Sequence, residues 1–180
     1  WRLLKGWMGM PDAEEEYTNK TIDEGWQHCL TVPRELRVKD GKIFQYPAKE
    51  LERLRKEKTI LDDEKSIVEV RVEVNEGFDL LIEDIAVTDR SFQISMGGQM
   101  LFKYENEIAG AGRNKRKAKV SELNNIRILA DTSAVELYLN DGEIVFSTRY
   151  YPDREDLQLK VKGGKFRGNL WNLRKMIFTK

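Results

Sequence analysis

Val68-Glu69-Val70-Arg71-Val72-Glu73-Val74 decides the fold class. Successive side chains of a strand point to opposite faces, so this run puts its valines on one buried face and its charges on a wet one. A helix would spread the same valines around its circumference, so the period of two predicts a half-buried strand.

Working outward, the same texture continues to the end of the chain. Further strands are predicted at Leu80 to Ala86, Phe92 to Ser95, Met100 to Tyr104, Ile126 to Ala130, Val135 to Leu139, Ile144 to Arg149, Leu157 to Val161 and Leu170 to Phe178. They are separated by turn signals such as Gly97-Gly98, Asn140-Asp141-Gly142 and Gly163-Gly164. About eight or nine short strands with no helical pattern between them imply an all-β antiparallel sandwich rather than a βαβ fold.

Upstream, residues 1–46 also read as strands: Leu3 to Met10, Cys29 to Val32, and Leu36 to Val38 turning through Asp40-Gly41 into Ile43 to Tyr46. A polar, acid-rich loop, Pro11 to Gly25, lies between the first two. Residues 47–58 predict a short linker helix, with Pro47 at its first position and Leu51 and Leu54 on one face. The sandwich then takes residues 59–180. Trp1 stands where a methionine would initiate, inside what reads as a strand, which suggests a processed chain or one that continues upstream.

Charge and composition narrow the function classes. The 180 residues carry 31 Lys and Arg against 31 Asp and Glu, so no net field draws in nucleic acid or an acidic membrane, and neither is expected as a partner. The single cysteine, Cys29, forms no intrachain disulfide, and the N-terminus has no signal-peptide pattern, so a cytoplasmic protein is expected. No apolar stretch approaches the ~20 residues that span a bilayer. The lone His28 rules out multi-histidine metal sites, and neither metal nor cofactor is expected.

Candidate sites each have a plain structural alternative. Asp12-Ala13-Glu14-Glu15-Glu16 supplies carboxylates of the kind a glycosidase needs, but a run of like charges reads as a solvated loop. His28 and Cys29 are strand neighbours pointing to opposite faces, which argues against a catalytic dyad. The basic segment Gly110 to Lys117 lacks the spacing of a phosphate loop and reads as a hairpin loop. Asn19-Lys20-Thr21 matches a glycosylation acceptor only by pattern. Trp7 and Trp26 are the substrate-binding candidates, since sugar rings stack on indole faces, although a tryptophan in an apolar strand is equally a core residue.

Two stretches carry a resemblance. Lys5-Gly6-Trp7-Met8-Gly9-Met10-Pro11-Asp12, Glu24-Gly25-Trp26-Gln27-His28 and Leu30-Thr31-Val32-Pro33-Arg34-Glu35-Leu36 resemble the end of the five-bladed β-propeller of glycoside hydrolase family 32, whose members include sucrose-6-phosphate hydrolases and invertases. Ile128 to Glu143, followed by Phe146-Ser147-Thr148-Arg149-Tyr150-Tyr151-Pro152, resembles a hairpin of that family's C-terminal sandwich. The resemblance implies a parent enzyme that hydrolyses a β-fructofuranoside with retention, using an Asp nucleophile, a Glu acid/base and a second Asp. The family carries these in a Trp-x-Asn-Asp-Pro-Asn-Gly motif, a Glu-Cys motif and an Arg-Asp-Pro motif. None of those strings occurs here; Pro152-Asp153-Arg154 has the wrong order, and no catalytic residue is assigned.

On that resemblance, residues 1–46 are a remnant of the last blade and 47–58 a linker, ahead of a non-catalytic sandwich that braces the parent chain's catalytic propeller. A carbohydrate (fructan)-binding module is the alternative. A carbohydrate ligand and a second copy of the chain are further candidate partners. Without neighbouring blades, the remnant is expected to pack against the sandwich.

Overall fold

The computed structural model describes residues 2–9, 14–62, 67–72, 76–112, 116–151 and 157–175. Short strands dominate: β1 (Leu3–Leu4), β2 (Trp7–Met8), β3 (Cys29–Leu30), β4 (Arg34–Lys39), β5 (Lys42–Pro47), β6 (Arg55–Asp62), β7 (Ile67–Arg71), β8 (Phe78–Val87) and β9 (Ser91–Met96). There follow β10 (Gln99–Glu105), β11 (Ile108–Ala111), β12 (Arg116–Lys119), β13 (Ile126–Ala130), β14 (Ala134–Leu139), β15 (Ile144–Arg149), β16 (Gln158–Lys162) and β17 (Gly164–Leu173).

Two six-stranded sheets make the sandwich, ordered β12-β11-β10-β9-β16-β7 and β15-β14-β13-β8-β17-β6. Every pairing within them is antiparallel, as the strand periodicity predicts. The opening stretch behaves accordingly: Val72 is buried and Val70 half-buried, while Glu69 and Arg71 face solvent. Val74 lies outside the described residues. The core forms where the inner faces meet, with Phe92, Ile94 and Met96 of β9 opposing Leu80 and Ile82 of β8 and Ile126 and Ile128 of β13. Each is sealed from water, and each such side chain contributes about 1.5–3 kcal/mol of burial.

The N-terminal segment forms a three-stranded sheet, β1-β4-β5, and a separate pair, β2-β3. The β4–β5 turn is the one the sequence predicts: Asp40 and Gly41 have φ of 50° and 73°, the left-handed pair of a type I′ hairpin. This segment packs on the outer face of the sheet containing β13 and β14, where Val32 and Arg34 meet Glu136 and Ser147. That sheet is therefore covered on both faces, and all five residues of β13 are buried.

Two elements differ from expectation. The linker helix is a 3-10 helix confined to Lys49–Leu54, and Arg55 already begins β6. Pro47 closes β5 rather than opening the helix. Leu51 and Leu54 are the only large apolar side chains available to hold a helix down, whereas Arg55 onward pairs with β17. The basic segment divides between β11 and β12, which pair as a hairpin, while Arg113 to Lys115 lie outside the described residues. No helix among the described residues is long and apolar enough to cross a membrane.

Candidate functional site

The covered face of the sandwich carries a polar row that the sequence does not announce. Across the sheet, Ser147 pairs with Glu136, Glu136 with Leu129, Leu129 with Asp79 and Asp79 with Trp171 in direct register. In each strand the neighbouring residues, such as Leu80, Ile128, Val135 and Leu137, turn into the core. Alternation thus sends Asp79, Arg127, Glu136, Tyr138, Ser147 and Arg149 outward to meet residues 19–55.

Arg34 of β4 enters this row and is 7% exposed. Its Nε donates to Glu136 Oε2 at 3.0 Å and lies 3.1 Å from the Tyr138 hydroxyl. Its other guanidinium nitrogens reach Glu136, Ser147 Oγ and Gln45 Oε1. Glu136 Oε1 accepts the Val32 backbone N–H at 2.7 Å, and Tyr138 donates its hydroxyl to Oε2 at 2.6 Å. A buried ion pair is sound only when its remaining hydrogen-bonding capacity is met, and this one is saturated from both sides of the junction. Burial, and after it the adjacent Glu136 charge, push the Tyr138 phenol far above its ordinary value against the pull of Arg34.

A second knot fastens the linker. Asp79 is fully buried and accepts from Arg127 at 3.0 and 2.8 Å and from Arg55 Nε at 2.8 Å. Arg127 stacks under the Tyr46 ring at 5.3 Å, and Arg55 lies over Trp171 at 3.9 Å. A third contact is steric: a Cβ on Gly142 would fall 1.9 Å from the Gln45 carbonyl oxygen, so the β14–β15 turn touches β5 backbone to backbone.

The sequence candidates fall around, not within, these knots. Met8 pairs with Cys29 and faces inward, whereas Trp7 pairs with Leu30 and both are exposed. Trp7 packs edge-on against His28 with centroids 4.9 Å apart. Cys29 Sγ contacts Met8 Sδ at 3.8 Å and accepts from Arg149 at 3.2 Å, so the two neighbours serve different surroundings. Burial pushes the Cys29 thiol up, with Arg149 pulling the other way, which leaves it protonated and poorly nucleophilic. Trp26 is 39% exposed beneath the Arg149 guanidinium. Glu14–Thr18, at the end of the acidic run, forms a 3-10 helix, whereas Asp12 and Ala13, like Pro152 to Arg154, lie outside the described residues. Asn19 is buried, which closes it to glycosylation. Among the described residues no cluster of His, Cys, Asp and Glu has the geometry of a metal site.

A cleft of about 600 Å³ opens where the segment, the linker and the sandwich meet. Leu30, Leu51, Leu54, Leu129 and Leu173 line it together with Asp131 and Arg174, and no aromatic ring lines it among the described residues. Such a lining suits apolar side chains.

Comparison with known proteins follows the same division. Residues 77–173 match the family model "Glycosyl hydrolases family 32 C terminal" and residues 1–47 match "Glycosyl hydrolases family 32 N-terminal domain". The sucrose-6-phosphate hydrolase of Bacillus subtilis is 34% identical over 163 residues, covering 84% of this chain and 34% of its own. The raffinose invertase of Escherichia coli is 29% identical over 175 residues, covering 89% and 36%. Among solved structures, sucrose-6-phosphate hydrolase from Lactobacillus gasseri superposes with a TM-score of 0.80 at 20% identity over 97% of this chain and 39% of that one. Fructan 1-exohydrolase IIa from Cichorium intybus gives 0.76 at 16% identity over 98% and 46%. The chain thus spans about a third of the length of the curated relatives it matches. The C-terminal match takes in more than half of the chain, so the chain belongs to glycosyl hydrolase family 32.

Proposed function

We propose that this chain is the non-catalytic C-terminal portion of a cytoplasmic β-fructofuranosidase of the sucrose-6-phosphate hydrolase type, and that its sandwich braces the parent's catalytic propeller. The observation that carries this reading is a segregation of surface. Leu3, Trp7, Tyr17, Ile22, Trp26, Leu30, Val38 and Ile43 are exposed large apolar residues of the first 47, whereas the large apolar residues that the described sandwich exposes are Ile60, Val87, Met100 and Ile108. A segment that is apolar outward and pinned inward by saturated ion pairs has the surface expected of a blade awaiting its neighbours. In the parent, Trp7 and Trp26 contact the sugar.

A carbohydrate-binding module is the second reading, and the disposition of aromatics speaks against it. Trp7, Tyr17 and Trp26, the exposed aromatics among the described residues, all precede residue 30, and none lies on a sandwich face.

The test is calorimetric titration with sucrose, sucrose-6-phosphate and a short fructan, with fructose release assayed in the same samples. No fructose, and no heat of sub-millimolar binding, is the expected result. Saturable tight binding without turnover would instead favour the module. Fructose release that survives repurification would overturn the non-catalytic reading.

A further inference from the structure

Arg149 ends β15 and is 5% exposed, yet among the described residues it forms no ion pair with a carboxylate. A buried cation without a counter-charge costs several kcal/mol unless something else meets it. Among the described residues its contacts come from residues 21–29 and from its own strand end. Thr21 Oγ1 accepts from Nη2 at 3.0 Å, Cys29 Sγ accepts from Nη1 at 3.2 Å, and the guanidinium carbon lies 4.9 Å from the Trp26 ring centroid and 5.5 Å from that of Tyr151. Both rings fall within the roughly 6 Å over which a cation feels an aromatic face. One planar side chain of the sandwich therefore holds the loop and strand that carry Trp26, Cys29 and, by pairing, Met8 and Trp7.

The hold extends to Trp7 through close packing. Cys29 and Met8 are register partners whose sulfurs touch, which fixes β2 on β3. Trp7 is then laid over Gly9, where a Cβ would come within 2.5 Å of the indole, and against the edge of His28. With Gly9 beneath and His28 at its side, the indole of Trp7 has little freedom to turn.

We propose that Arg149 is a positioning residue for sugar contact: through Trp26 directly, and through Cys29 and Met8 to Trp7, the sandwich sets the orientation of the aromatic surface on which a fructosyl-containing saccharide stacks. This rests on the reading that Trp7 and Trp26 touch the sugar. It makes the sandwich a determinant of substrate binding as well as a brace.

The test uses the four indole N–H signals of the 15N-labelled 180-residue chain, assigned with Trp7→Phe, Trp26→Phe and Trp171→Phe. Trp171, stacked under Arg55 in a separate cluster, is the internal reference. Arg149→Met shifts the Trp26 and Trp7 signals and leaves Trp171 in place. Arg149→Lys keeps the charge but lacks the flat guanidinium, and does not restore them. Titration with sucrose and a short fructan, followed on the same signals so that millimolar binding is read, is weakened about fivefold by Arg149→Met and by Trp26→Ala alike. Unmoved Trp26 and Trp7 signals in Arg149→Met overturn the inference. Signals that move, in a chain whose sugar response is absent or is untouched by Trp7→Ala and Trp26→Ala, overturn the sugar-contact reading while the positioning by Arg149 stands as measured.

Discussion

Arg34 and Glu136, 102 residues apart in sequence, meet as a buried ion pair at 3.0 Å, and they join a strand matched to the N-terminal family domain to a strand matched to the C-terminal one. Removing the carboxylate alone strands the guanidinium, so Glu136→Ala is expected to destabilise the fold by about 3–5 kcal/mol. Replacing both partners, as Arg34→Met with Glu136→Leu, costs distinctly less because no charge is left buried. Urea denaturation followed by far-UV circular dichroism gives both numbers. Equal losses in the single and double variants would show that shape, not charge, makes the junction.

Gly142 and Gly41 separate steric need from backbone need. Both have positive φ, 89° and 73°, but a Cβ on Gly41 meets nothing within 4 Å, whereas one on Gly142 meets the Gln45 backbone. Gly41→Ala is expected to cost about 1 kcal/mol and to leave the junction closed. Gly142→Ala should push β5 off the sandwich, so that limited proteolysis cuts the first 54 residues at least tenfold faster than in the unchanged chain. Equal cleavage rates would refute the close approach.

Alkaline stability follows from the phenols. Burial alone raises Tyr150, and burial with the Glu136 charge raises Tyr138, so the folded chain holds their protons where the unfolded chain, near pH 10, has begun to lose them. Their contribution is full below about pH 10 and is lost as pH rises through the gap between unfolded and folded values. Tyr150→Phe should therefore match the unchanged chain at pH 8 and fall off less steeply above pH 10 in urea titrations. A parallel decline would assign the alkaline loss elsewhere.

Val38 and Ile43 face each other across β4 and β5 at 75% and 60% exposure. Substituting both by lysine removes apolar surface without touching the core. Stability should stay within about 0.5 kcal/mol while self-association, read by sedimentation velocity, declines. A large loss of stability would mean that the pair is buried in solution.

The sandwich was legible because most of its strands have one wet face, as Glu69 and Arg71 show beside Val70 and Val72. Arg55–Asp62 escaped because Arg-Lys-Glu-Lys-Thr carries charge on both faces of an edge strand, which hides a period of two. The site escaped for a different reason. Trp7 and Trp26 attract notice by residue type, whereas Arg34, Asp79, Arg127, Glu136 and Arg149 are ordinary charges whose role exists only in the tertiary arrangement. One signal was available: Arg127 within Ile126 to Ala130 and Glu136 within Ala134 to Leu139 are lone charges in runs that are otherwise too apolar for a wet face. A strand covered on both sides admits a charge only where a partner awaits it.

The long separation between Arg34 and Glu136 also fixes an order of events in time. At a synthesis rate of about 5–20 residues per second, Arg34 exists for about 5–20 s before its partner carboxylate is made. Through that interval the β4–β5 hairpin has its apolar tip, Val38 and Ile43, and its strand edges but not its anchor, which leaves it open to pairing with other chains. The β1-β4-β5 sheet is thus begun before its anchor exists and is finished by a residue of the sandwich that follows it.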